Sequence, residues 1–220
     1  MAQGSTVFPP GTDLHEVKTY MLSRMLWNAS RDPLVEIGEF LPLYYGSKAA
    51  PYIKLYMDTM IQSERKVGFC RADDGRSLGF PPTAPFLTPG AILTAAQGFA
   101  TAQSLLKGGE SAAAKQQLVR VERASLSVSW VALVRWGEMV SFAKNYTLPW
   151  PYANSKREAL QEFLRIGNET EQILGRGRDR LGRGPLSFYV EQIMNSSATD
   201  WCLPYVGPSA CDPDWVNDQP

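Results

Sequence analysis

Apolar residues recur at helical spacing along most of the chain up to about residue 175, broken by clusters of Gly, Pro and Ser. After a loop rich in Gly and Pro, Leu14, Val17, Met21 and Met25 repeat with a period near 3.6, joined by Tyr20, Leu22 and Leu26, which predicts a helix ending at Trp27. Asp13 followed three positions later by Glu16 reads as a capping box for it. A second helix is expected from Pro33 through Val35, Ile37, Phe40 and Leu41, weakened at Pro42 and stopped at Gly46. Ser47 is the natural cap of a third, running to about Arg65 with Tyr52, Leu55, Tyr56 and Met60 on one face.

Residues 67–88 hold no sustained period and read as a loop. Thr88 and Pro89, as N-cap and first helical residue, open a helix that Gly108 and Gly109 close. Ser111 opens the longest periodic stretch, to about Lys144. Its apolar face is Leu118, Val121, Val128, Ala132 and Met139, flanked by Leu126, Trp130, Leu133 and Trp136. Ser155 and Glu158 form another capping box before Leu160, Phe163 and Leu164, and Gly175 and Gly177 end that helix. Strand signals are few. The pattern predicts a mainly α fold, an antiparallel helical bundle with a loop-rich, Pro/Gly-rich C-terminal tail.

Composition narrows the function. The 220 residues carry 22 Lys+Arg against 22 Asp+Glu, a formal net charge of zero, so neither a nucleic-acid partner nor a polybasic membrane contact is expected. No apolar run reaches the roughly 18–20 residues of a membrane span. The one histidine, His15, excludes sites built on paired histidines, and with no Gly-x-Ser-x-Gly elbow it is expected at a surface or capping position. The three cysteines fit no zinc ligand set. Cys202 and Cys211 are a disulfide candidate if the chain lies in an oxidising compartment. The four N-x-S/T sequons at Asn28, Asn145, Asn168 and Asn195 raise the same question. No cofactor or metal is expected.

Catalytic constellations are scarce. Glu36 and Glu39, three apart on one helix, read as a solvated acidic face, since a glycosidase pair must flank a bond across a cleft. The stretch GRGRDRLGRG at residues 175–184 is basic but lacks a Walker ending and reads as an arginine-rich connector. Trp27, Tyr44, Tyr45, Tyr52 and Tyr56 offer a sugar-stacking platform on paper, but aromatics at helical spacing belong more often to a core or an interface.

One stretch is more specific. Gln3-Gly4, a Pro-Gly loop and then DLHEVKTYMLSRMLWNASRDPLVEIGEFLPLYYGSKAAPYIKLYMDTM at residues 13–60 resemble glycoside-hydrolase-like proteins grouped as domain of unknown function 4838. FLTP at 86–89, RVERA at 120–124 and SKREALQEFL at 155–164 agree with the same family's helical C-terminal region. The resemblance implies kinship with α-glucuronidases and β-N-acetylhexosaminidases built on a TIM barrel. It implies that residues 1–30 are the end of such a barrel, 31–175 a helical module and 176–220 an irregular tail. The catalytic carboxylates would then lie upstream of Met1, and only Gln3 and Gly4 would approach the rim of the active site.

Two functions follow as expectations: a non-catalytic helical module of a carbohydrate-active protein, or a stand-alone helical interaction or carbohydrate-binding protein. Carbohydrate would be met through the barrel. The location would be secreted or organellar given an upstream signal. The first helix carries too many large apolar residues for one stripe. At about 25 cal/mol per Å2, an orphan patch of roughly 400 Å2 would cost on the order of 10 kcal/mol. A homo-oligomer with Tyr20 and Trp27 near the contact is therefore expected.

Overall fold

The computed structural model describes residues 13–68 and 82–170. Among them are seven helices and no strand: α1 (His15–Trp27), α2 (Pro33–Tyr45), α3 (Ala50–Val67), α4 (Pro89–Leu106), α5 (Ala112–Val134), α6 (Trp136–Asn145) and α7 (Lys156–Glu169). The mainly α bundle is as the periodicity requires. The irregular tail 176–220, the stop at Gly175 and Gly177, and the connector 175–184 lie outside the described residues.

Three of the expected side-chain caps form. The Thr88 hydroxyl accepts from the Ala91 amide at 3.2 Å, Ser111 from Ala114 at 3.1 Å and Ser155 from Glu158 at 3.2 Å. Asp32 does the same for α2, accepting from Leu34 at 2.8 Å ahead of Pro33. Each satisfies an amide that the first helical turn leaves without a partner.

The expected box at Asp13 does not form. Leu14 occupies the N-cap of α1 in the left-handed region, φ 45°, with no side-chain cap. Asp13 instead accepts from the Ser127 hydroxyl of α5 at 2.7 Å, and Glu16 pairs with Arg123 of α5 at 2.7 Å. A half-buried seam against α5 supplies these carboxylates with fixed partners, and Leu14, itself buried, holds the strained turn in place.

Pro42 does not end α2, which runs on to Tyr45. The proline is exposed, while its neighbours Leu41 and Tyr45 are anchored in the core. The carbonyl it leaves unbonded belongs to Gly38, an exposed residue, so water can serve it. Gly46 then stops the helix at φ 86°, where a Cβ would come within 2.4 Å of the Gln117 side chain. The Gly46 carbonyl receives the Ala49 and Ala50 amides, so α3 starts at Ala50 without using Ser47 as a cap.

The long period from Ser111 is two helices. Arg135 separates α5 from α6 with φ −101°, ψ 30°. Its guanidinium donates to the carbonyls of Pro82 and Leu87 and to both carboxylate oxygens of Glu138. A buried cation must be fully hydrogen-bonded, and here that means binding the segment before α4.

The main core is built from α2 through α6 around Tyr45, Ile53, Phe99, Val121, Ala132 and Met139, with the start of α1 joined to it. A second, smaller cluster joins the far side of α5 to α7 through Leu133, Leu160 and Phe163, with Trp130 and Trp136 against it. The two apolar faces along residues 118–139 therefore have separate partners.

Candidate functional site

Three places bring chemistry-bearing side chains together. The first joins α1 to α2. Glu36 is buried, and its carboxylate accepts from Arg24 Nε at 2.8 Å, from Arg31 and from the Tyr20 hydroxyl at 3.0 Å. These donors hold its pKa down to about 2, Arg24 contributing most and Arg31 next, against the opposing cost of burial. The solvated face expected for Glu36 is thus replaced by a clamp, while Glu39 is exposed. A carboxylate so fixed as an anion is unsuited to donate a proton near neutral pH.

Beside the clamp, Tyr20 stacks on Phe40 with ring centres 4.6 Å apart, and Phe40 stacks on Tyr44 at 5.0 Å. Arg120 closes this ladder, lying 4.2 Å from the Tyr44 ring centre and donating to its carbonyl at 2.8 Å. Rings stacked on each other have no faces left for a sugar. Tyr45 and Tyr56 are in the core, where burial raises both phenol pKa values, and Tyr52 packs against it. Of the five aromatics considered as a platform, only Trp27 stands in solvent, 91% exposed.

Other large apolar side chains of α1 and α2 are exposed as well. Leu26 on α1 and Leu34, Val35 and Leu43 on α2 are exposed, Leu34 at 76% and Leu43 at 81%. Tyr20, expected near an intermolecular contact, is occupied internally by Phe40 and Glu36.

The second place is the seam between the start of α1 and α5, where Asp13 meets Ser127 and Glu16 meets Arg123. His15 is half-buried there, its Nδ1 without a hydrogen-bond partner. No described Ser or Cys hydroxyl or thiol bonds to it.

The third is a cavity of about 210 Å3 between α4, α5, α7 and residues 151–153. Phe99, Val128 and Phe163 line it, with the polar side chains Gln103, Ser129 and Tyr152. At its edge Arg165 of α7 gathers Glu162, Glu169 and the buried Glu122 of α5. Burial raises the Glu122 pKa, Arg165 opposes it, and the same cation lowers that of Glu162.

The residues singled out from sequence fare unevenly. Gln3, Gly4, Cys202 and Cys211 lie outside the described residues, as do Cys70 and Asn195. Asn28 and Asn145 are exposed at the ends of α1 and α6. The clamp and the cavity went unread: Arg24 and Glu36 are twelve positions apart on different helices, and Gln103, Ser129 and Tyr152 share no motif. Among the described residues no group of three or more His, Cys, Asp or Glu side chains is arranged to hold a metal, and no helix is long and apolar enough to cross a membrane.

The family model described as a domain of unknown function (DUF4838) matches residues 1–58. That segment takes in α1, α2 and the first half of α3, and so the clamp and the exposed apolar surface. No curated protein and no solved structure matches the chain.

Proposed function

We propose that this chain is the non-catalytic helical module of a glycoside-hydrolase-like, carbohydrate-active protein, docked through its α1–α2 surface onto another unit of that protein. The observation that carries the reading is the exposure of Leu26 and Trp27 at the end of α1 and of Leu34, Val35 and Leu43 on α2, all within the segment that matches the family model. Large apolar side chains left in solvent on two neighbouring helices are the kind that another body covers. The Glu36 clamp ties α1 to α2, so the two helices are presented together. The resemblance of residues 13–60 to glycoside-hydrolase-like proteins supplies the protein class. Carbohydrate would be handled by the docked unit, since Glu16 and Glu36 are tied up by arginines and Glu39 stands exposed.

Sedimentation of the purified chain at micromolar concentration tests the surface. Self-association is expected, and the double substitution Trp27→Ser and Leu34→Ser is expected to return it to monomer with an unchanged helical circular-dichroism spectrum. A monomer at the outset would overturn the docking surface. Incubation with aryl glycosides and aryl glucuronides is expected to release no phenol; release abolished by a carboxylate substitution in this chain would overturn the non-catalytic assignment.

A further inference from the structure

Among the described residues, the chain leaves α2, α3, α4 and α6 through a residue with positive φ. After α2, α3 and α4 that residue is a glycine: Gly46, Gly68 and Gly108. After α6 it is Thr147, at φ 52°. Glycine has no Cβ to clash in the left-handed region, whereas a β-branched residue suits it worst. The exit from α6 is otherwise regular. The Leu148 amide reaches the Ala143 carbonyl at 2.9 Å, and the Thr147 amide reaches that of Lys144 at 3.2 Å. This pair of bonds closes many helices, and glycine is its usual occupant at the position of Thr147.

Helix α6 ends at Asn145, so Asn145-Tyr146-Thr147 is an N-x-S/T sequon straddling the helix end. Other sequons give their hydroxyls structural work. The Ser30 hydroxyl donates to Asn28 Oδ1 at 2.7 Å, and the Ser30 amide donates to the same oxygen at 3.0 Å, shaping the turn between α1 and α2. The Thr170 hydroxyl donates to the Ile166 carbonyl at 2.8 Å. No described residue bonds to the Thr147 hydroxyl. Thr147 thus strains the backbone with no side-chain bond to offset it, and strain kept in this way points to a role beyond the fold. Lys144, Asn145, Tyr146 and Thr147 are all exposed, Tyr146 at 65%, so a bulky group on Asn145 displaces nothing.

We infer that Asn145 is an N-glycan acceptor and that Thr147 is kept for its hydroxyl, which the glycosylating enzyme reads two positions beyond the asparagine. The donor is an oligosaccharide carried on a polyprenyl pyrophosphate, and the catalyst is the membrane-bound transferase of a secretory compartment. Asn145 Nδ2 gives a proton to a base of that enzyme and forms a bond to the anomeric carbon of the first sugar. The bond from that carbon to the pyrophosphate oxygen breaks, and the lipid pyrophosphate leaves with the electron pair. Nothing is oxidised or reduced. The site lies outside the matched segment and does not depend on the α1–α2 surface.

The test is peptide mapping of the protein recovered from its own cells and deglycosylated by peptide-N-glycosidase in heavy-oxygen water. That enzyme hydrolyses a glycosylated asparagine to aspartate, so a labelled aspartate is expected at position 145. Recovery of this peptide with unmodified asparagine alone would overturn the inference. In the full chain secreted from a eukaryotic host, Asn145→Gln and Thr147→Gly are expected to lose the glycan at this site and Thr147→Ser to keep it. A glycan retained by Thr147→Gly would remove the assigned role of the hydroxyl. Sugar-free protein from a bacterial host separates that role from a structural one. There Thr147→Gly, which relieves the strain, is expected to raise the melting temperature by about 2–4 °C. An unchanged or lower melting temperature would mean that the fold itself uses Thr147, against the inference. Each readout is confined to residues 145–147, so this proposal and the docking surface fail separately.

Discussion

Helices α2 and α4 start alike and end up opposite. Each opens with a polar N-cap and a proline, Asp32-Pro33 and Thr88-Pro89, and each is rich in apolar residues. Yet α4 buries Ala91, Ile92, Leu93, Ala95, Ala96, Gly98, Phe99, Ala102 and Leu106, while α2 buries only Glu36, Leu41 and Tyr45 and leaves Leu34, Val35 and Leu43 in solvent. The difference lies in the neighbours. α4 packs against α3, α5 and α6, so nearly every side of it meets carbon, and its Ala and Gly residues permit that close approach. α2 has α1, α3 and α5 on its inner side alone, and what holds α1 to it is the Glu36 clamp and an aromatic ladder as much as apolar packing. Apolar content thus marks a surface to be buried but does not say by what. In α4 the burial is internal, and in α2 Leu34, Val35 and Leu43 stay in solvent.

The comparison breaks most sharply at Phe99 and Leu43. Phe99→Ala should remove about 3–5 kcal/mol of stability, as large-to-small changes of buried aromatics do, whereas Leu43→Ala should stay within about 0.5 kcal/mol. Urea unfolding followed by circular dichroism checks both, and equal losses would mean that α2 is as buried as α4. Next is Arg135, which secures the segment leading into α4 from the far side. Arg135→Met should cost about 1–3 kcal/mol, the penalty of stranding buried carbonyls, and equilibrium denaturation would register it. The smallest effect belongs to the clamp and appears as a pH dependence. The folded pKa of Glu36 is about 2, below its ordinary value near 4.5. The unfolded chain therefore takes up this proton first as pH falls. The clamp's contribution is complete above about pH 5 and is lost as pH drops from the ordinary carboxylate range toward 2. Glu36→Gln should lower the melting temperature at pH 7 and flatten this part of the acid profile. An unchanged profile would leave α1 and α2 held by packing alone.

The elements themselves were largely legible. Periodicity and caps found every helical stretch, though α5 and α6 read as one, because Thr88, Ser111 and Ser155 accept from amides within the first turn they open, an interaction local in sequence. Where reading failed, the deciding contact was distant. Asp13 has the spacing of a capping residue, but Ser127, more than a hundred positions away, provides a competing partner. The stretch after Ser111 has one unbroken period because nothing at position 135 forbids helix. It breaks there because the Arg135 guanidinium must reach the carbonyls of Pro82 and Leu87. Glu36 and Glu39 look equivalent on paper, yet only Glu36 faces two arginines.

By itself, then, the sequence determined the class of fold, the helical stretches other than the break at Arg135, the neutral charge and the surplus of large apolar residues near the N-terminus. These are sums or short-range patterns, and no folding is needed to evaluate them. Tertiary structure alone decided that the surplus is spread over α1 and α2 with Trp27 outermost and Tyr20 turned inward. It also decided that one carboxylate is clamped while its neighbour is free, and that alanines from separate helices converge on one cavity. Each of those depends on which side of a helix meets which neighbour, and that is set only when the whole chain packs and every buried polar group must find its partner at once.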